Sequence, residues 1–172
     1  GIYADGDNIQ ISNSDVTITC TASGISAANG VVTISSNSGN RLNINAGEVG
    51  LRSSKDLSIS GCTVDVTSVK EAIYCGGNGD NGITIADSSL NLTATGSTAD
   101  GIYADGDNIQ ISNSDVTIAA GGYYGIYARS GNIVIENSPI SATARRCGIF
   151  SFTGGIGITS GEDDAIDITV GG

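Results

Sequence analysis

The chain has no histidine, no methionine and no tryptophan, a single proline, and only seven lysines and arginines against eighteen aspartates and glutamates. Each shortage excludes something. Without histidine there is no imidazole base, no histidine-ligated metal and no imidazole proton shuttle. A net charge of −11 repels nucleic-acid backbone, whose binding rests on Lys and Arg neutralising phosphate, so nucleic acid is not an expected partner. No apolar run approaches the ~18 residues that a membrane-spanning helix needs, so membrane insertion is not expected. Charged residues reach only 15%, below the usual quarter. Ser, Thr, Asn and 26 glycines take their place. Such a composition can signal disorder, but the apolar residues are regularly spaced, and that regularity argues for a packed core.

Cys20, Cys62, Cys75 and Cys147 form no C-x-x-C pair. Zinc is therefore not expected. No pairing between them suggests itself either, and they read as small, mostly free thiols. The chain opens at Gly1 with neither Met nor an export signal. The expectation is one domain over residues 1–172, excised from a longer repeat-containing protein.

What is present is repetition. GIYADGDNIQISNSDVTI at 1–18 recurs unchanged at 101–118. Weaker copies begin at Ile2, Ile25, Leu51, Ile73, Ile102, Ile126 and Ile149, with gaps of 23, 26, 22, 29, 24 and 23 residues. Each unit continues with two apolar-x-apolar pairs. The first pair runs Ile9/Ile11, Val32/Ile34, Leu57/Ile59, Ile83/Ile85, Ile109/Ile111, Ile133/Ile135 and Ile156/Ile158. The second runs Val16/Ile18, Leu42/Ile44, Val64/Val66, Leu90/Leu92, Val116/Ile118, Ile140/Ala142 and Ile166/Ile168. A period of two means strand, and the Gly, Asn, Asp and Ser between pairs are turn residues. One such unit cannot bury its apolar face alone, whereas stacked units can. The sequence thus predicts an all-β fold: a right-handed, single-stranded parallel β-helix of about seven coils with three short strands each. The turns at 35–41 and 159–165 are longer than their counterpart at 12–15 and should bulge from one edge. Ser14, Cys62, Ser88, Ser114 and Ser138 share one corner position, where a compact side chain packs inward.

Units such as GIYADGDNIQISNSDVTI resemble the repeats of a family of secreted bacterial carbohydrate-binding β-helix domains, whose fold is similar to that of pectate lyases. The resemblance implies binding of plant-type polysaccharide, with acidic turns able to take calcium. It also implies an extracellular or cell-surface location.

The residues themselves supply a candidate surface. The outward position of the first strand reads Tyr3, Ser26, Arg52, Tyr74, Tyr103, Tyr127, Phe150, five of seven aromatic, with Tyr123 and Tyr124 just before one of these strands. Sugar rings pack C–H faces on aromatics, and Tyr adds a hydroxyl at low entropic cost. Tyr3, Arg52, Tyr74, Tyr103, Tyr124, Tyr127 and Phe150 are therefore the expected ligand-binding residues, for a cellulose-like or pectic glycan. The competing reading is that aromatics simply suit a pleated surface. For metal, the expected residues are Asp5, Asp7, Asp105 and Asp107 in the two D-G-D-N turns, and Asp163 and Asp164 in a long turn. Calcium is an optional cofactor there, since it wants six to eight oxygens. The GGNGD run at 76–80 is a weaker candidate. Catalysis is not expected: Asp163–Asp164 imitates a glycosidase pair without the accompanying histidine, and no acidic constellation clearly faces Arg52. The alternative function is a structural spacer, an adhesin or a self-associating fibre segment, with end-to-end contact between copies.

Overall fold

The computed structural model describes residues 1–77, 82–161 and 164–171. Twenty-one strands and, among the described residues, no helix make up the fold. They form three parallel sheets of seven strands, and every third strand in the chain belongs to the same sheet. The chain is a parallel β-solenoid of about seven coils, three strands per coil. The first coil consists of Ile2–Ala4, Ile9–Ser12 and Val16–Cys20.

The register follows the apolar pairs. Ile2 sits beside Ile25, Ile9 beside Val32, and Val16 beside Leu42. The stacking continues through Ile102, Ile126 and Ile149 on the first sheet. Each inward Ile, Leu or Val lands on the next, so a single core runs along the rod. Ile25, Leu51, Ile73, Ile102 and Ile126 are all 0% exposed. In the terminal coils, inward residues such as Ile2 at 37% and Ile158 at 44% are more open, because a solenoid covers each coil with the next. Both longer turns fall at the corner between second and third strands, after Val32–Ser35 and after Ile156–Thr159. All four cysteines are free.

The small-residue corner does more than pack. The Ser88, Ser114 and Ser138 hydroxyls each donate to the carbonyl two residues earlier, at 2.7 Å. Each then accepts a backbone N–H from the preceding coil: Cys62 to Ser88 at 3.2 Å, Ser88 to Ser114 at 3.1 Å and Ser114 to Ser138 at 3.0 Å. The residue before each of these corners has positive φ: Gly61 at 65°, Asp87 at 51°, Asn113 at 48° and Asn137 at 46°. Asn and Asp are the residues besides Gly that tolerate this conformation. Cys62 keeps the pattern, its thiol donating to Ser60 O at 3.1 Å. The purely packing role expected of these residues is thus corrected to a chain of hydrogen bonds from coil to coil. Ser114→Ala orphans the N–H of buried Ser88 and should lower stability by about 1–3 kcal/mol. Denaturant unfolding measures this, and an unchanged midpoint would show that the ladder contributes nothing.

Candidate functional site

The outward column of the first sheet is in register, coil by coil: Tyr3, Ser26, Arg52, Tyr74, Tyr103, Tyr127 and Phe150 are successive cross-strand neighbours. Tyr103 and Tyr127 stack with centroids 4.9 Å apart and planes 11° apart. Tyr127 and Phe150 follow at 5.6 Å and 28°. Tyr124, three residues before Tyr127, joins from the side, 4.7 Å from Tyr127 and stacked on Phe150 at 5.0 Å and 10°. Tyr74 meets Tyr103 edge to face, at 5.4 Å and 75°.

This geometry constrains binding. Rings stacked along the rod spend their faces on one another and show solvent only their edges and hydroxyls. Beyond Tyr103 the column is therefore not an open flat bed for sugar faces. Four phenols of the column, Tyr3, Tyr74, Tyr103 and Tyr127, are shifted upward. The Tyr103 hydroxyl donates to Asp105 Oδ1 at 2.9 Å, and burial, this bond and the Asp105 charge push its pKa well above the usual phenol range. Tyr3 donates likewise to Asp5 Oδ1 at 3.1 Å, and that bond raises its pKa. Tyr74 and Tyr127 are raised chiefly by burial.

The column breaks at coil 2, where Ser26 stands and is only 6% exposed. A cleft of about 300 Å³ opens there, between Tyr3 and Arg52, with Ala22, Ser23 and Glu48 also on its walls. On the far side of Arg52 lies a second cleft of about 230 Å³, lined by Val49, Arg52, Lys70, Glu71 and Tyr74. The Arg52 guanidinium lies 5.8 Å from the Tyr74 ring centroid, a cation–π contact. Among the described residues Arg52 makes no ion pair, whereas Lys70 pairs with Glu48 at 3.0 Å. Glu48 and Glu71 each share a cleft with Arg52, one on either side. Glu71 stands two residues before Ile73, in the column of Val49 and Asp100, and Glu48 one residue earlier in its own coil; neither column repeats a residue type, so the pattern does not announce them. Ser26 was legible in the column as the one small, uncharged member.

One coil further, Asp100 is 8% exposed and accepts the Tyr124 N–H at 2.9 Å. Burial lifts its carboxyl from 3.8 to about 6, with the Glu71 charge adding to the rise and the Tyr124 N–H opposing it.

The acidic turns are placed apart. Asp5 and Asp7 lie in coil 1, Asp105 and Asp107 in coil 5, and Asp164 at a different corner of coil 7. Asp105 is held by the Arg129 guanidinium at 2.9 Å as well as by Tyr103. The amide oxygens of the same turns accept backbone N–H groups of the next coil, Asn8 from Val31 and Asn108 from Asn132, both at 2.8 Å. Asp164 Oδ2 accepts the Gly161 N–H at 2.7 Å. Asp163 and most of the GGNGD run lie outside the described residues. Among the described residues no three His, Cys, Asp or Glu side chains converge as metal ligands.

Fold and column together define the class: a parallel β-solenoid carrying a registered aromatic ladder with one gap. No family model, no curated protein and no solved structure matches the chain.

Proposed function

We propose that the chain is a non-catalytic polysaccharide-binding module acting outside the cell or at its surface, with its contact region centred on Arg52 rather than spread along the whole column. The observation that carries this reading is the pair of clefts on either side of Arg52, where the ladder leaves aromatic surface uncovered. Each offers what a sugar residue needs: an aromatic wall, a guanidinium donor and a carboxylate acceptor. At 300 and 230 Å³ they suit one residue each, being at or below the small end of ligand pockets. The repeat's likeness to secreted carbohydrate-binding β-helix domains supports the same reading. The stacked rings of coils 5 to 7 then hold the face rigid, and Tyr124 and Tyr127 add hydroxyls at its edge.

The test is retention on insoluble cellulose and on soluble pectic glycans, each with Ca²⁺ and with chelator, alongside an assay for new reducing or unsaturated ends. Retention without product is expected, indifferent to chelator. Arg52→Ala removes a charged donor common to both clefts and should weaken binding about tenfold or more. Product release would overturn the non-catalytic reading. No retention on any glycan would leave a structural spacer as the better account.

A further inference from the structure

We propose that the aromatic column is a site of one-electron oxidation, in which an oxidising equivalent accepted by any tyrosine of the stack comes to rest on Tyr103. The inference stands apart from the polysaccharide reading and needs no glycan.

Composition narrows the choice of side chain. With no Trp and no Met, the six tyrosines and four cysteines are the groups most easily oxidised by one electron. Five of those tyrosines are linked. Centroid to centroid, Tyr74 lies 5.4 Å from Tyr103, Tyr103 4.9 Å from Tyr127, Tyr127 4.7 Å from Tyr124 and Tyr124 6.3 Å from Tyr123. Rings this close exchange an electron faster than a phenoxyl radical is lost to solution. A hole placed on one of them therefore samples the set and settles where oxidation costs least.

A proton acceptor lowers that cost. A phenol that has lost an electron is a strong acid, and the neutral radical forms only if the O–H proton has somewhere to go. Among the described residues, Tyr103 is the one linked tyrosine whose hydroxyl donates to a carboxylate, Asp105 Oδ1 at 2.9 Å. The electron passes to the oxidant, the phenol O–H bond breaks, the proton joins Asp105, and an oxygen-centred radical remains on Tyr103. The Arg129 guanidinium holds the same carboxylate oxygen at 2.9 Å and keeps the acceptor in place. The Asp105 side chain is 31% exposed, so the proton has a route to water. Cys147, the cross-strand neighbour of Tyr124, is the competitor. Its thiol donates to the Ile149 carbonyl oxygen, a far weaker base than a carboxylate.

Position shelters the product. Phenoxyl radicals disappear mainly by carbon–carbon coupling between two rings, which needs open ring surface. Tyr127 stacks on Tyr103 from coil 6, and Tyr74 meets it from coil 4. Tyr3 supplies the contrast within the same chain. It belongs to the identical run GIYADGDNIQISNSDVTI and donates to Asp5 Oδ1 at 3.1 Å. Yet it is 66% exposed, and its neighbour in the next coil is Ser26. One motif thus occurs twice, once with the acceptor alone and once with acceptor and stack together.

The test oxidises the full chain with azide radical generated by pulse radiolysis. Freeze-quench electron paramagnetic resonance follows the radical, and peptide mass spectrometry maps the cross-linked products. All chains carry Tyr3→Phe, which removes the unlinked tyrosine. A tyrosyl signal that outlasts that of free tyrosine is expected, with little dityrosine. Tyr103→Phe keeps the ring, as Phe150 does at the same column position, and should lose the long-lived signal and form dityrosine at Tyr123 and Tyr124. Asp105→Asn keeps the phenol and removes the base, and should lose the signal as well. Circular dichroism checks that each variant retains the solenoid. A long-lived signal persisting in either folded variant would overturn the inference. So would dityrosine distributed by exposure in the chain that keeps Tyr103 and Asp105, or a product mainly on Cys147.

Discussion

Asp100→Asn is expected to stabilise the rod by roughly 3 kcal/mol at neutral pH, and the gain should vanish in acid. The carboxyl is 8% exposed and its pKa is lifted from 3.8 to about 6, mainly because burial penalises its charge. A tenfold change in proton affinity corresponds to about 1.4 kcal/mol of preference for the protonated form. The folded state therefore binds a proton that the unfolded chain releases. Stability from this group is present in full below about 3.8, is lost as pH rises towards about 6, and the whole penalty stands above that. Asparagine keeps a carbonyl oxygen for the Tyr124 N–H and carries no charge, so it removes the penalty and its pH dependence together. With seventeen other acidic residues also titrating, the quantity to read is the difference between variant and wild type across pH 4 to 7.5 in urea unfolding. A difference that does not change with pH would overturn the assignment. Tyr124 stacks on Phe150, so glycan binding by the variant also reports whether Asp100 matters to the face it supports.

The repeat made most of this fold readable. Strand, register and outward column all follow from a period-two apolar pattern, because parallel in-register stacking places like on like. The column was readable as a list, Tyr3 to Phe150, but ring orientation was not. Orientation depends on how each side chain settles against the coils above and below, and at 4.9 Å with an 11° tilt Tyr103 and Tyr127 bury the surfaces that a sugar would use. The partners of the acidic turns were hidden for a related reason. D-G-D-N reads as a cluster of free oxygens, yet Asn8 and Asn108 serve the backbone of the next coil, and Asp5 and Asp105 serve tyrosines two residues away. Glu48, Glu71 and Asp100 were not legible at all. Glu71 and Asp100 share one repeat position, two residues before Ile73 and Ile102, with Ser23, Val49 and Tyr124, but that column mixes residue types and so carries no pattern, and only the stacked backbone brings these carboxylates beside Arg52 and Tyr124.

The glycine that opens each repeat is the site of the second large expected effect. Gly1, Gly24, Gly50, Gly101, Gly125 and Gly148 precede the inward residue of the first strand in six of the seven coils. A Cβ at Gly101 would collide with Ile118 Cγ2 and lie 2.6 Å from the carbonyl oxygen of Gly125. At Gly24, Gly50 and Gly148 the obstructing side-chain atom is again a branched methyl, on Ile44, Val66 and Ile168. Coil 4 is the exception that explains the rule. Ala72 stands between Gly50 and Gly101, directly before Ile73, and is 0% exposed. The third-strand residue at its level is Leu92, which pairs with Ile118 and has no methyl on its Cβ. Four of the glycines thus face a β-branched partner, Gly125 faces Ala142 with the Gly148 carbonyl oxygen 2.6 Å from its Cβ position, and the alanine of coil 4 faces leucine. Gly101→Ala alone should cost about 3 kcal/mol, the upper end for overpacking a tight core, and Ile118→Leu alone under about 1.5. Combined, they should be more stable than the sum of the two losses by about 1 kcal/mol, because the leucine removes the methyl while the Gly125 carbonyl contact remains. Strict additivity in a double-mutant cycle of denaturant midpoints would show that the carbonyl, and not the branched methyl, excludes the side chain. The glycine column would then be a requirement of coil spacing alone.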